Sequence, residues 1–464
     1  MLWIKETTAL EKWYHLKIRS CIMKISNITQ MNRPIKTILM CTGMLVLTGI
    51  YSCSKAQTEK KATPDPVKPP VSEIKEDMMI GIYVSPGIGY ITDHHFKNIR
   101  EANVDLIQDI SLSYSQANKL AMLNMAAANQ LKMFVADQRV DGTDAEMAAM
   151  VNAYKNHTAT AGYYIKDEPR VPELQDAATR YKKLINLDPE KVPHVNLFPS
   201  YATGALANVE YETEYVEKWI ELVGAVNLKY LSFDNYPFMK DGTLREAPYY
   251  KDLDIIRRIG LKYKIKTSAY LQSIGSSIGL RRPNADELRY SAFTNLAYGI
   301  KLPVWFTYWT PIGSTEQFTE AIVDAQGNKT DLYTPFTVIN AEMKQIGKTL
   351  IKLDAIAVYH AGVSIPSGTK RTPSGFIWKA ENENESMLIT HFVNPADSRI
   401  YIMVVNKSLT ENKVFTFNTD TTVKNVKEVS KTDGLEKIID FKTAGHKLTD
   451  SFLPGEGKLY ALYK

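Results

Sequence analysis

Cysteine is nearly absent from this chain. Three occur among 464 residues, Cys21, Cys41 and Cys53, and none lies beyond position 53. A body without cysteine has no disulfide framework, no thiolate nucleophile and no sulfur ligand for zinc or an iron–sulfur cluster. Histidine is scarce too, with eight in the chain, and no Cys/His cluster has metal-ligand spacing, so no metal site and no cofactor is expected. The neighbours His94 and His95 read as the solvent-facing start of a helix. The net charge of +5 is small for this length. There is no basic stripe interleaved with aromatics to track a phosphate backbone, which argues against nucleic acid as a partner. After Cys53 no apolar run approaches the ~20 residues that span a bilayer. No G-x-S-x-G elbow occurs, and PGIGY at Pro86 to Tyr90 has too few glycines for a dinucleotide fingerprint.

What the chain does have is apolar residues at 44%, charged residues at 23% and 26 tyrosines. That composition supports a domain of about 250 residues plus a smaller one, each with a real core. From Met31 the sequence reads MNRPIKTILMCTGMLVLTGIYSC, the charged, apolar and cleavage regions of an export signal. It resembles a bacterial lipoprotein signal, with Ile50 to Cys53 as the lipobox and Cys53 as the lipidated residue. Residues 54–77 are rich in Lys, Pro and Glu and read as a flexible tether. The expected organisation is therefore a leader and signal over 1–53, a tether over 54–77, a barrel over 78–351 and a β-sandwich over 352–464. The expected location is the bacterial cell envelope. The protein would be a monomer that meets the outer membrane through its lipid alone.

Beyond the tether, short apolar strands alternate with helical patterns. Strands are expected in MMIGIYVSP, VDLIQDI, LKMFVADQRV, AGYYIKDEP, VPHVNLFPSY, LKYLSFDNYPF, YKIKTSAYLQ and LPVWFTYWTP. Eight strand-plus-helix units define an α/β chain, a (β/α)8 TIM barrel. Pro172 and Pro248 suit first helical turns, Gly260 is expected to stop the second of these helices, and Asn284 with Glu287 forms a capping box closed by Gly299. From about Leu353 the period becomes alternating: SGFIWKA, ESMLITHFVNP, RIYIMVVNKSL, KVFTFNT, VKNVKEVSK and GKLYALYK predict an all-antiparallel sandwich. None of its strands shows a clear aromatic platform.

In a barrel the C-terminal ends of all eight strands meet at one mouth. There the sequence gathers Tyr83, Asp137, Asp167, Glu168, Asn196, Asp234, Tyr236, Tyr270, Gln272, Trp305, Tyr308 and Trp309. Rings that cover the apolar face of a sugar, neutral hydrogen-bonders that read its hydroxyls and a few carboxylates suit a glycan. Glycosidic cleavage needs one carboxylic acid to protonate the leaving oxygen and a second carboxylate opposite it. Glu168 is the expected acid and Asp234 the expected nucleophile or base. Asp137 stands as an alternative second carboxylate, as a sugar-binding group or as a partner of Arg139, and Asp167 as an orienting or hydroxyl-binding group. Arg281, in the loop after the seventh strand, is expected either to recognise an acidic sugar or to pair with Asp286 or Glu287.

The pieces GYYIKDEP, SFDNYPF, RRPNADELRYSAFTNLAYGI, WFTYWTP and YIMVVNKSL…VKEVSKTDG…LPGEGKLYAL carry a resemblance from about residue 78 to the end. The chain resembles clan A glycoside hydrolases, and in architecture the glycoside hydrolase-like lipoproteins of gut Bacteroidetes. The resemblance implies an O-glycosyl hydrolase with its acid/base Glu after strand four, where Glu168 stands, and an aromatic floor from strand eight, Trp305 or Trp309. It also implies a nucleophilic Glu after strand seven, yet that position holds Gln272, which cannot attack as a carboxylate does. Asp234, substrate or water would then take that role, or the barrel binds glycans without cutting them.

Overall fold

In the computed structural model, residues 77–313 and 315–464 are described. The leader, the lipobox with Cys53 and nearly all of the tether lie outside the described residues. Eight parallel strands close into a barrel in chain order: β1 (Gly81–Tyr83), β2 (Leu106–Gln108), β3 (Lys132–Val135), β4 (Thr160–Asp167), β5 (Val192–Leu197), β6 (Tyr230–Asp234), β7 (Lys266–Gln272) and β8 (Leu302–Phe306). Each coincides with a stretch expected from the sequence, β4 starting one residue earlier, at Thr160. They are buried on both faces, as a sheet wrapped by helices must be. Closure pairs Gly81 with Val304 and Ile82 with Trp305.

Each strand is followed by a helix: α1 (Asp93–Glu101), α2 (Gln116–Ala128), α3 (Asp144–Tyr154), α4 (Leu174–Leu187), α5 (Glu217–Val223), α6 (Glu246–Tyr263), α7 (Ala285–Ala297) and α8 (Tyr333–Leu350). Local chemistry fixes their ends. Asn284 and Glu287 form the expected box at the start of α7, and Gly299, at φ +81°, carries the chain out of its far end, a backbone angle that costs other residues about 1 kcal/mol or more. Gly260 does not stop α6, which continues to Tyr263. It is a contact residue, because a Cβ there would lie 2.6 Å from the Thr267 side chain on β7. The left-handed residue that ends α6 is Lys264.

Ten more strands, β9 to β18, form antiparallel sheets of four and six strands. Trp378, Phe415, Phe417, Ile389, Val404 and Tyr460 from the two sheets share one core, which makes the pair a sandwich. The first of them, β9 (Asp354–Ala361), was not among the stretches read from the sequence. The sandwich is fastened to the barrel through α6 and α7. Lys407 pairs with Glu246 at 3.0 Å, Arg289 donates to the Pro454 carbonyl at 2.9 Å, and the Tyr298 hydroxyl meets His360 Nε2 at 2.8 Å. No described helix is long and apolar enough to cross a membrane.

Candidate functional site

The site grows from three neighbouring strand ends. In register, Asp167 of β4 stands opposite Asn196 of β5, and Asn196 opposite Ser232 of β6. Asp234 is two residues beyond Ser232, so it projects from the same face one layer higher. The Asn196 side chain fills the gap. Its Nδ2 donates to Asp167 Oδ1 at 3.3 Å and to Asp234 Oδ1 at 3.2 Å, while its Oδ1 accepts from Ser232 Oγ at 3.2 Å. One amide thus ties two carboxyl groups from different strands. A register shift between Tyr164 and Lys166 precedes Asp167, the kind of bulge that re-aims a side chain beside a site.

Glu168 follows at once with φ +47°, unusual for a residue with a side chain and held at a cost of order 1 kcal/mol or more. Its N–H donates to the Asn196 carbonyl at 2.8 Å. The next residue is anchored too, since Tyr215 donates its hydroxyl to the Pro169 carbonyl at 2.7 Å. The strand end therefore turns out of the sheet at a fixed angle.

Asp234 is buried, and burial together with the charge of Asp167 pushes its carboxyl up to about 8, against the pull of Asn196 and Tyr236. Desolvation and a like-charged neighbour both favour the neutral acid. Tyr83 donates its hydroxyl to Asp167 Oδ2 at 2.9 Å. Burial first, and then the charges of Asp234 and Glu168, raise the hydroxyls of Tyr201 and Tyr236, with Asp167 adding to the effect on Tyr236.

Aromatic rings form the wall. Tyr236 stacks on Phe306 at 5.1 Å and 25°, Tyr83 meets Phe306 at 5.5 Å, and Tyr270 sits edge-on to Tyr83 at 5.5 Å. Phe306 is half-buried at the end of β8, just before a cis peptide to Thr307. At the rim the Arg245 guanidinium lies 3.9 Å over the Tyr201 ring and donates through Nη2 to the Tyr236 carbonyl at 3.1 Å. Below the rim, buried Asp252 on α6 accepts from Ser200 N at 2.9 Å and from Asn235 Nδ2 at 2.8 Å. It thereby joins the loop after β5 to the end of β6.

Several residues expected at the mouth are engaged elsewhere. Trp305 points out of the barrel, fully buried, with its indole N–H on Asn340 at 2.9 Å and its ring on Phe336 of α8. Tyr308 also packs on Phe336. Trp309 is buried against Tyr90 and His95, so His95 is a half-buried packing residue, while His94 is exposed at the start of α1 as expected. The half-exposed ring that β8 brings to the mouth is Phe306. Gln272 is spent on the backbone: Oε1 accepts from Phe238 N at 3.0 Å, and Nε2 donates to the carbonyls of Phe238 and Arg281 at 3.1 and 2.9 Å. Arg281 makes a two-armed ion pair with Glu287, the structural alternative of its two expected roles. Asp137 is held by Arg139 and by the Tyr154 hydroxyl at 2.8 Å, again the structural alternative, and this pairing keeps its carboxyl low. Tyr270 lies deeper, between Gln108 and His194.

Phe306 and Arg245 were missed in the sequence. Phe306 sits beside two tryptophans that drew attention away from it, although period-two alternation along LPVWF separates it in face from Trp305. Arg245 sits in a loop, where no periodicity points to it. Among the described residues no group of three or more His, Cys, Asp or Glu could hold a metal ion.

No protein-family model matches the sequence, and no curated protein matches it. Solved structures do resemble the fold. A β-galactosidase from Bacillus circulans sp. alkalophilus is matched over 83% of this chain and 99% of its own, at 8% identity and a TM-score of 0.54. A glycoside hydrolase family 5 protein from Bacteroides vulgatus is matched over 83% and 89%, at 11% identity and a TM-score of 0.50. A looser match, a β-galactosidase from the psychrophilic Marinomonas ef1, covers 60% of this chain and 62% of that one, with 11% identity and a TM-score of 0.45. The class that the first two of these likenesses define is a fold, the (β/α)8 barrel found in glycoside hydrolases, here with C-terminal antiparallel sheets.

Proposed function

We propose that the protein hydrolyses a glycosidic bond, with Asp234 as proton donor and Glu168 as the carboxylate that activates water. The observation that carries this is the Asn196 bridge, which sets Asp167 beside Asp234 in a ring-lined mouth, where burial and the Asp167 charge hold Asp234 protonated at neutral pH against the pull of Asn196 itself. A carboxyl held neutral by its surroundings is placed for acid work, and base work then falls to another carboxylate. In the step proposed, the Asp234 proton passes to the glycosidic oxygen as the bond to the anomeric carbon breaks. Water adds to that carbon and gives its proton to Glu168, and solvent exchange restores both groups. This reverses the roles expected from the sequence, because a carboxyl held neutral is an acid and a poor nucleophile. Burial first and the Asp167 charge second keep Asp234 protonated, and Tyr83, Tyr236 and Phe306 would hold the sugar ring.

The test is product release from a panel of oligosaccharides and aryl glycosides. Glu168→Gln and Asp234→Asn should each abolish turnover while circular dichroism shows an intact fold, and unaltered rates in both would remove the proposal. A second reading, glycan binding without cleavage, is favoured by the engagement of Gln272 where clan A has its nucleophile; binding without product release across the panel would establish it. We also carry forward attachment to the bacterial envelope through lipid on Cys53, tested by labelling with a fatty-acid probe in wild type and Cys53→Ser.

A further inference from the structure

Tyr201 belongs to two surfaces at once. One is the barrel mouth, where Arg245, 3.9 Å over its ring, donates to the carbonyl of Tyr236, the residue that stacks on Phe306. The other is a cleft of about 700 Å³ between the barrel and the sandwich, walled by α6 on one side and by β9 and residues 367–370 on the other. Tyr201 joins the cleft to the mouth, and Arg245 lies flat on its ring.

The charges along this path do not balance. The cleft arginines are neutralised: Arg257 pairs with Asp254 at 2.6 Å, and Arg258 pairs with Asp254 at 2.8 Å and with Glu212. Glu210 is used locally, accepting from Thr213 N and Oγ1 at 2.7 and 2.8 Å. Arg245, Lys251 and Lys370, by contrast, enter no ion pair among the described residues, and Arg245 Nε is a buried donor with no hydrogen-bond partner there. An arginine pinned by a ring and a carbonyl keeps a preorganised fork, and a fork of this kind selects carboxylate or sulfate over neutral hydroxyls.

We propose that mouth and cleft form one surface for an acidic glycan, with Arg245 reading a carboxylate or sulfate near the scissile bond and Lys251 and Lys370 following charge along the chain. The inference deepens the hydrolase reading and rests on it for the position of the scissile bond. Calorimetric titration with polygalacturonate, dextran sulfate and neutral dextran tests it in wild type, Arg245→Gln, Arg245→Lys and Lys251→Gln/Lys370→Gln. Wild type should bind at least one acidic polymer and ignore dextran, and Arg245→Gln should weaken that binding at least tenfold. Arg245→Lys should fall between, since it keeps charge and loses the planar fork. The double lysine variant should show a shallower salt dependence. Binding of polygalacturonate alone identifies the carboxylate, and binding of dextran sulfate alone the sulfate. If Arg245→Gln does not fold, Arg245→Lys and the exposed double variant carry the test. Equal affinity across all folded variants, or no acidic polymer bound, overturns the inference. Binding does not require turnover, so an inactive protein that still holds acidic glycans defeats only the hydrolase reading. Cleavage of neutral glycans at a rate indifferent to Arg245 defeats only this one.

Discussion

Replacing Asp234 by asparagine should separate catalysis from stability in opposite directions. In the folded protein the Asp234 carboxyl is raised from 3.8 to about 8 by burial and by Asp167. Between those values the folded state holds a proton that the unfolded chain has released, so stability falls as pH rises through this window. At about 1.36 kcal/mol per unit, the loss approaches a ceiling of about 6 kcal/mol above the upper value. Asparagine cannot ionise, yet its carbonyl can still accept from Asn196, and its amide can donate toward Asp167. Asp234→Asn should therefore match wild type near the acid end of the window and exceed it by several kcal/mol above the alkaline end, of the order set by the pKa displacement. Its rate should drop by about 10²-fold or more, the usual contribution of a positioned general acid. Urea unfolding of both proteins at three pH values, paired with an activity measurement, is the assay. A stability difference that does not change with pH, or a variant less stable than wild type at high pH, would refute the reasoning.

Other outcomes follow from the same geometry. Phe306→Ala should raise KM through loss of the stacked wall, whereas Trp305→Phe should leave KM unchanged and cost about 1–3 kcal/mol for the lost Asn340 bond and volume; steady-state kinetics and melting separate the two. Gln272→Glu should not supply a nucleophile. It would set a carboxylate against the carbonyls of Phe238 and Arg281 and destabilise by at least about 3 kcal/mol, readable by denaturant titration. His194 and His360 are buried, and burial lowers them to about 3 and about 2. Each favours the folded state above the ordinary imidazole range and loses that contribution as pH falls toward its lowered value. Acid unfolding should accordingly be less steep in His360→Gln, where no imidazole charges between the two domains.

The barrel was readable from the sequence because each unit repeats one signal, a short apolar run followed by a helix with a capping residue such as Asn284. That repetition also located the strand ends, and with them Asp167, Asn196 and Asp234. It could not say where each side chain points. Trp305 and Phe306 are adjacent, and a one-residue difference in face sends one to α8 and the other to the mouth. Gln272 looked available because its partners, backbone groups of Phe238 and Arg281, depend on loop paths that periodicity does not encode, whereas Glu287, six residues on, was legible as a partner of Arg281. The assignment of acid and base turned on the same limit, since the protonation of Asp234 depends on Asp167 and Asn196 being brought beside it by strand register. The polar alternation of β17 (Lys447–Phe452) lacks the apolar run that marked the strands recognised from the sequence.

Direct titration of Asp234 would test the central claim most plainly. Carboxyl ¹³C shifts of labelled protein, followed with pH in wild type and Asp167→Asn, should show one aspartate titrating far above the ordinary carboxylate range and moving down when the Asp167 charge is removed. A full set of aspartates that all ionise in the ordinary acidic range would contradict it.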